Sequence, residues 1–553
     1  MKCIWRILVI GLVLLVGCSP KAGEIAGVVV DENGPVAGAV VRVQTTEKFA
    51  VTDDVGAFTI TNLEPDEAVS LTAWAEGYFI TGGELEYFPG ETDVRLELIQ
   101  HATADHQGYP WLSAYASAGK EGNCQKCHAS EDGSEAGLPF DEWVLDAHAN
   151  SALNQRFLTM YAGTDMQGNQ SPLTRRAGNR DYGAVPLAPD KSLPYYGPGY
   201  KLDFPDTSGN CSACHAPAAA IDAPYGTDPR QVSDVGAEGV ACDFCHKVWA
   251  VRLNLDGLPY QNMPGVLSFD FLRPEQGHQF FAGPYDDVAP GEDTYSPLQQ
   301  QSEFCAPCHY GFFWDTLVYN SFGEWLDSPY ADPETGRTCQ DCHMPAGITD
   351  HFATIQAGGR LRDPETIFSH LMLGVTDEEF MRNAVSLDVE VSLDQGNIVV
   401  TVAVINDNTG HHIPTDSPLR QLILIVQTFD EEGNSLTQLD GPTVPEWGGV
   451  GDPGEGYYAG LPGTGYAKIL AELWTEVSPT GAYWNQTRVS SDTRIPAMET
   501  SSTSYIFAAA VEGAARVEVR LIYRRAFIEL ADQKGWEIPD LEIANFTMDV
   551  LDS

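Results

Sequence analysis

At 553 residues the chain has room for roughly two to four domains, and its 43% hydrophobic content is ordinary for a globular protein. Thirty-one Lys and Arg stand against 78 Asp and Glu, a formal charge of −47. So negative a surface argues against nucleic acid and anionic lipid headgroups as partners and favours basic or cationic ones.

The chain opens MKCIWRILVIGLVLLVGC, with basic Lys2 and Arg6 ahead of an apolar run over residues 7–16. That run is too short to span a bilayer comfortably and reads as an export signal. Its end, Leu15-Val16-Gly17-Cys18, resembles a bacterial lipoprotein signal. The resemblance implies a signal segment over residues 1–18, with Cys18 the lipidated first residue of the mature chain. Several acyl chains on one cysteine would anchor it stably. The expected location is extracytoplasmic, periplasmic or at the cell surface of a bacterium, with the membrane met through the lipid alone.

Residues 24–99 alternate short apolar runs with turn residues, as in IAGVVV, DENGP, VAGAVVRVQ and TDDVGAFTI. Asn33-Gly34-Pro35 and Asp53-Asp54 with Gly56 supply the turns. The pattern predicts short β-strands. Through Pro35-Val36-Ala37-Gly38-Ala39, Thr52-Asp53 to Gly56-Ala57-Phe58, and Gly77-Tyr78, it is similar to the carboxypeptidase-regulatory-like family. That resemblance implies a small β-sandwich, a spacer or adhesion module without catalysis, and the lack of His and Cys in this stretch agrees.

Ten cysteines remain beyond Cys3 and Cys18, and all fall in five CxxC pairs, each followed at once by histidine. They are CQKCH (Cys124, Cys127, His128), CSACH (Cys211, Cys214, His215), CDFCH (Cys242, Cys245, His246), CAPCH (Cys305, Cys308, His309) and CQDCH (Cys339, Cys342, His343). An exported chain suggests disulfides first. Neither disulfides nor zinc ribbons need a histidine after every second cysteine. Covalent attachment of five c-type haems does: two thiols add to the vinyl groups, and the next imidazole reaches the iron. About fifty residues per haem are too few for separate pockets, so the haems replace much of the core and lie near one another. The fold expected over residues 101–380 is a loop-rich, mainly α haem core.

Each iron needs a second axial ligand or an open face. Eight histidines lie outside the motifs, all between His101 and His412. His148 sits in PFDEWVLDAHANSALNQRFLTMY, where Phe140, Val144 and His148 share one face of a predicted amphipathic helix. His278 lies in the Gly/Pro-bounded turn GHQFFAGPYDD, and His370 in DPETIFSHLMLG. His101 and His351 read as surface or linker residues.

Residues 384–553 alternate again, in VSLDVEVSL, NIVVTVAVI, QLILIVQTF and ARVEVRLIY, and predict an immunoglobulin-like β-sandwich. A Gly/Pro-rich insertion, roughly 441–466, is expected to lie over its surface. Between two of its strands stands GHHIPTDSPLR, with Gly410 expected to permit a tight turn and Pro414 to stiffen the segment after it.

The motif runs, with GHQFFAGPYDDV, EWLDSPYADPETGRTCQDCHMP and GHHIPTDSPLR, resemble the multihaem c-type cytochromes. The resemblance spans most of residues 105–420 and is to the class of the tetrahaem acceptors of hydroxylamine oxidoreductase and the octahaem reductases. It implies distal ligation by His148, His278, His370 and His411. It does not fix the fifth distal ligand; His106 is assigned there, with His412 and His351 behind it.

The expected function is electron transfer between redox proteins through closely packed, mostly bis-histidine haems, with no catalytic residue. An acidic face would suit redox partners with basic docking surfaces. One alternative is an oxidoreductase acting on a small nitrogen or sulfur compound at a five-coordinate haem. Against it stand the lack of any CxxCK motif and the supply of spare histidines. Another is a subunit of an extracellular haem filament.

Overall fold

The computed structural model describes residues 23–116, 123–130, 137–275, 280–288, 291–508 and 514–550. Cys18 with its signal segment, and His278, lie outside the described residues. The chain divides into two units. One runs to Gln107 and takes in Arg273–Ser296; the other comprises Gly108–Leu272 and Pro297–Ser553.

In the first unit, Ile25–Asp31 pairs antiparallel with Gly34–Pro35 and Ala57–Ile60 and parallel with Val94–Glu97. A second four-stranded sheet runs Phe49–Val51, Val40–Val43, Val69–Trp74, Thr81–Tyr87. Alternation along these strands turns Ile25, Val41, Phe58, Leu71 and Leu96 into one core. The turns form where the sequence places them. Asp31 Oδ1 accepts from the N–H groups of Asn33 and Gly34, and Asp53 Oδ1 from those of Val55 and Ala57. Gly34 and Gly56 take the positive φ that each turn requires. Arg273–Ser296 joins this unit through polar contacts. Arg42 grips Asp286 with bonds of 2.6 and 2.9 Å, Thr45 N–H donates to Asp287, and Trp74 Nε1 donates to Thr294 Oγ1.

The middle of the second unit is helix-poor, which corrects the expectation of a mainly α core. Its longest helix, Gln155–Ala162, has eight residues. The amphipathic helix expected across residues 139–161 is broken after Pro139–Trp143. The cause is local competition for backbone groups. Asp146 Oδ1 accepts from the backbone N–H and Nδ1 of His148, while Asn150 Nδ2 donates to the carbonyls of Val144 and Asp146. Side chains thereby take the bonds that a continuing helix would use.

The C-terminal part holds two four-stranded sheets. One has the order Ser386–Asp394, Asn397–Ile405, Thr500–Phe507, Gln438–Asp440; the other Gly463–Tyr466, Gln421–Phe429, Ala515–Arg524, Leu541–Val550. Val400, Val402, Leu422, Leu424, Val517 and Val519 are fully buried in a shared core. The run LILIV lacks alternation because both of its faces are covered: Ile423 and Ile425 pack outward against Val444, Tyr458 and Ile522. Residues 441–466 therefore do more than lie over the surface. They supply that outer cover and end in a strand paired with Gln421–Phe429. Among the described residues no helix is long and apolar enough to cross a membrane.

The helix Ile528–Lys534 closes the C-terminal part onto the haem-motif region. Lys534 is fully buried, and its Nζ donates to the carbonyls of Thr159, Thr164 and Pro198 at 3.1, 2.9 and 2.6 Å. Lys534→Met keeps the stem and strips three buried acceptors of their donor. It is expected to lower unfolding stability by about 3 kcal/mol, read from chemical denaturation; an unchanged midpoint would contradict the clamp.

Candidate haem centres

Each CxxCH motif forms a single helical turn: Cys124–His128, Ser212–His215 with Cys211 at its start, Cys242–Cys245 running into His246, Ala306–His309 after Cys305, and Cys339–His343. A helical turn sets residues i, i+3 and i+4 on one side, so both thiols and the imidazole address the same face. Thr338 caps the last of these with a reciprocal capping box to Asp341. The ten thiols are free and half-buried. Thiols of different motifs touch: Cys124 with Cys242, Cys214 with Cys308, and Cys305 with Cys339. Cofactors carried on these cysteines are thereby neighbours, with CAPCH adjoining both CSACH and CQDCH.

The histidines carry the sharpest geometry. Among the described residues eight of them tie Nδ1 to an oxygen: His128 to Phe352 O at 2.6 Å, His148 to Asp146 Oδ1 at 2.7 Å, His215 to Ser151 O at 3.4 Å, His309 to Asp416 Oδ2 at 3.0 Å, His343 to Leu373 O at 2.5 Å, His411 to His412 O at 3.0 Å, and also His101 to Ala102 O and His351 to Asp350 Oδ1. An imidazole held at Nδ1 has its orientation and tautomer fixed and offers Nε2 to a metal.

Two pairs of these rings lie close together. The rings of His148 and His309 are 6.2 Å apart, and those of His343 and His411 are 6.3 Å apart. With about 2 Å from metal to nitrogen and about 1 Å from nitrogen to ring centre on each side, two axial imidazoles of one iron stand about 6 Å apart. Among the described residues no cluster of three or more His, Cys, Asp or Glu is arranged to chelate a bare ion. The donor set is one of opposed pairs, and it fits haem iron. Residues placed to hold such haems are the ten motif cysteines, the five motif histidines, His148 and His411.

His370 lies within electrostatic range of both His246 and His128. Its backbone N–H donates to Glu142 Oε2 at 2.7 Å, which fixes the loop to the helix Pro139–Trp143. His106 is exposed in the first unit, and its backbone N–H donates to Arg273 O. His215 differs from the other motif histidines. The ring stacked on it belongs to Phe157, with centres 3.9 Å apart and planes 3° apart. The histidine in its electrostatic range is His148, which already faces His309. His101 is not the surface residue expected; it is 5% exposed and packs between Phe79 and Phe280.

Burial sets the protonation of these groups. Desolvation lowers His215 and His343 to about 4 and His370 to about 3, and it pulls down His128 and His411. The neutral ring, which is the ligating form, is favoured in each. His309 runs the other way. Burial would lower it, but the Asp416 carboxylate overrides burial and holds it above its ordinary value.

Asp416 and Glu324 are the residues that sequence reasoning missed. Asp416 accepts from His309 Nδ1 and from Ser321 Oγ, and its backbone takes φ of 63°. The left-handed position in GHHIPTDSPLR is therefore Asp416 and not Gly410. Gly410 instead permits close packing, since a Cβ there would meet Trp325 at 3.1 Å. Glu324, on the helix Ser321–Leu326, accepts from the backbone N–H of His412, Thr415 Oγ1 and Arg494 Nη1. The side chains of Glu324 and Arg494 are 1% and 5% exposed. This buried pair seats the loop that presents His411. The available signal was a run of three polar residues, Thr415-Asp416-Ser417, between two apolar strands.

Comparison with known proteins gives a partial match. Residues 24–98 match the family described as carboxypeptidase regulatory-like domain. The fold is similar to the crystal structure of a penta-heme cytochrome c552 from Thermochromatium tepidum, at 19% identity and a TM-score of 0.50, covering 74% of this chain and 95% of that one. An alignment with a Mu homology domain from Danio rerio, at 11% identity and a TM-score of 0.12 over 31% of this chain and 44% of that one, carries no argument. The chain matches no curated protein sequence.

In the haem-loaded protein, His148→Ala and His411→Ala are each expected to turn one low-spin haem into a high-spin or newly ligated one. Low-temperature EPR reads the change; a spectrum identical to wild type in either variant would reject that pair.

Proposed function

We propose that this chain is a pentahaem c-type cytochrome that carries electrons between redox proteins. The observation that carries this reading is the pair of opposed imidazoles, His148 with His309 and His343 with His411, at the separation one iron requires. Two imidazoles on one iron leave no place for substrate, so such a haem conducts and does not catalyse. Cysteine contacts join CQKCH to CDFCH, and CAPCH to both CSACH and CQDCH, while Cys245 of CDFCH lies in electrostatic range of Cys305 and Cys308, which favours transfer from haem to haem. The fold likeness to a penta-heme cytochrome supports the same reading. When bound, the haems supply reversible one-electron chemistry. The surrounding residues orient the ligands, and burial favours the neutral ring at His128, His215, His343, His370 and His411.

The same reading covers the rest of the chain. His246 and His128 would be the proximal ligands in CDFCH and CQKCH, with His370, which lies in electrostatic range of both, as a distal ligand. Cys18 carries the lipid that tethers the chain to a bacterial membrane, on the periplasmic side or the cell surface. The carboxypeptidase-regulatory-like residues 24–98 act as a spacer, and the C-terminal sheets, of immunoglobulin type, act as the rigid mount for His411. The charge of −47 suits partners with basic docking faces.

One observation favours a second reading. Phe157 lies flat on His215 with ring centres 3.9 Å apart, and the histidine in electrostatic range of His215 is the His148 already paired with His309, so the CSACH haem would be the place for an open coordination site. A reductase or oxidase acting on a small nitrogen or sulfur compound would use that haem.

The alkaline pyridine spectrum of the purified protein is expected to give five haems per chain; a smaller number would reject the pentahaem reading. EPR of the oxidised protein separates the two functions. Low-spin signals from all five haems favour the carrier, and a stoichiometric high-spin signal favours the enzyme. Cys18→Ser is expected to move the protein from the membrane to the soluble fraction, and retention in the membrane would reject the lipid anchor.

A further inference from the structure

The two close ring pairs differ in the oxygens that hold them. His343 and His411 give Nδ1 to neutral carbonyls, Leu373 O at 2.5 Å and His412 O at 3.0 Å. His148 and His309 both give Nδ1 to carboxylates, Asp146 Oδ1 at 2.7 Å and Asp416 Oδ2 at 3.0 Å. Neither carboxylate is a loose surface charge, since the side chains of Asp146 and Asp416 are 6% and 19% exposed. Asp146 Oδ1 also accepts from the backbone N–H of His148, and Asp416 Oδ1 from Ser321 Oγ at 2.7 Å. Arg420, an arginine in electrostatic range of Asp416, donates to a carbonyl, Thr415 O, at 3.1 Å. The two carboxylates come from unrelated segments. Asp146 stands in the turn after the helix Pro139–Trp143, and Asp416 in the loop that presents His411.

A carboxylate at Nδ1 draws the ring proton toward itself and makes Nε2 a stronger donor than a carbonyl does. Two such ligands on one iron, with two fixed negative charges behind them, favour the ferric state over the ferrous. The CAPCH turn also has neighbours on both sides. Cys308 packs in one apolar cluster with Ala213 of CSACH. Cys339 N–H and Gln340 Nε2 of CQDCH donate to Ser302 Oγ and Gln301 O, just ahead of CAPCH.

We propose that Asp146 and Asp416 hold the CAPCH haem at a lower potential than the CQDCH haem, so that it passes electrons on without keeping them. The step is a one-electron exchange: one iron goes from ferrous to ferric as its neighbour goes from ferric to ferrous, and no bond or proton moves. Asp146 and Asp416 act as positioning residues, through the histidines they hold. This rests on the reading of the two ring pairs as axial ligands.

The test is a redox titration followed by EPR on the haem-loaded wild type, Asp146→Asn, Asp416→Asn and the double variant. Asparagine keeps an oxygen for Nδ1 and tolerates the left-handed backbone at position 416, so the ring stays held while the charge is lost. Each single variant is expected to raise one midpoint, the same in both, by about tenfold in the reduction equilibrium, or ~59 mV. The double variant raises it further. The haem concerned is the one whose low-spin signal His148→Ala abolishes. Its midpoint in wild type lies below that of the haem whose low-spin signal His411→Ala abolishes. An unchanged spectrum in His148→Ala rejects the ring pair itself, and with it the parent reading. Where that spectrum does change, midpoints unmoved by the asparagines, shifts in two different haems, or a CAPCH midpoint above that of CQDCH overturn the tuning. Should the double variant fail to load haem, Asp146→Asn alone decides by the same midpoint, because it leaves the bonds of Asp416 in place.

Discussion

An imidazole binds a metal well only when its other nitrogen is already spoken for, and much of the second unit serves that condition. Carbonyls of Phe352, Ser151, Leu373 and His412 and carboxylates of Asp146 and Asp416 each hold one Nδ1. None of these acceptors belongs to a CxxCH motif. The motif delivers thiols and a ring to one face; the surrounding loops decide where the ring points. That division explains why so helix-poor a region is held by so many side-chain-to-backbone bonds.

The second constraint is that an iron must be gripped from both sides. In the proposed carrier the far side for CQDCH would come from His411, whose loop stands on the strands Asn397–Ile405 and Gln421–Phe429 and is seated by the buried Glu324–Arg494 pair. For CAPCH it would come from His148, in the turn that interrupts a would-be helix. Asp416 links the two, since it follows His411 by five residues and holds the proximal His309. Removing one partner of a buried pair such as Glu324–Arg494 costs about 3–5 kcal/mol, so the seat of the His411 loop depends on a bond between the helix Ser321–Leu326 and the C-terminal part.

Much of this was legible in the sequence where the signal is local. The five CxxCH motifs need only adjacency, and the turns at Asn33-Gly34 and Asp53–Gly56 need only short-range hydrogen bonds, so both can be read from residue order. What was not legible depends on distant partners. The alternation of Phe140, Val144 and His148 suggested a helix, yet Asp146 and Asn150 compete for the backbone and stop it. Gly410 looked like the turn residue, but its role is close approach to Trp325, and Asp416 takes the left-handed turn. The unalternating LILIV run concealed a second apolar layer made by residues 441–466, whose Gly/Pro content suggested an irregular cover. Asp416 and Glu324 carried no signal in the sequence because their partners, His309 and Arg494, lie about a hundred residues or more away.

Location of the irons tests the central claim most directly. Diffraction data collected on either side of the iron absorption edge would place each iron by its anomalous signal. The account predicts one iron midway between the rings of His148 and His309 and another midway between those of His343 and His411, each bonded to two Nε2 atoms. Iron lying off either midpoint, or bonded to one imidazole of a pair and not the other, would contradict it.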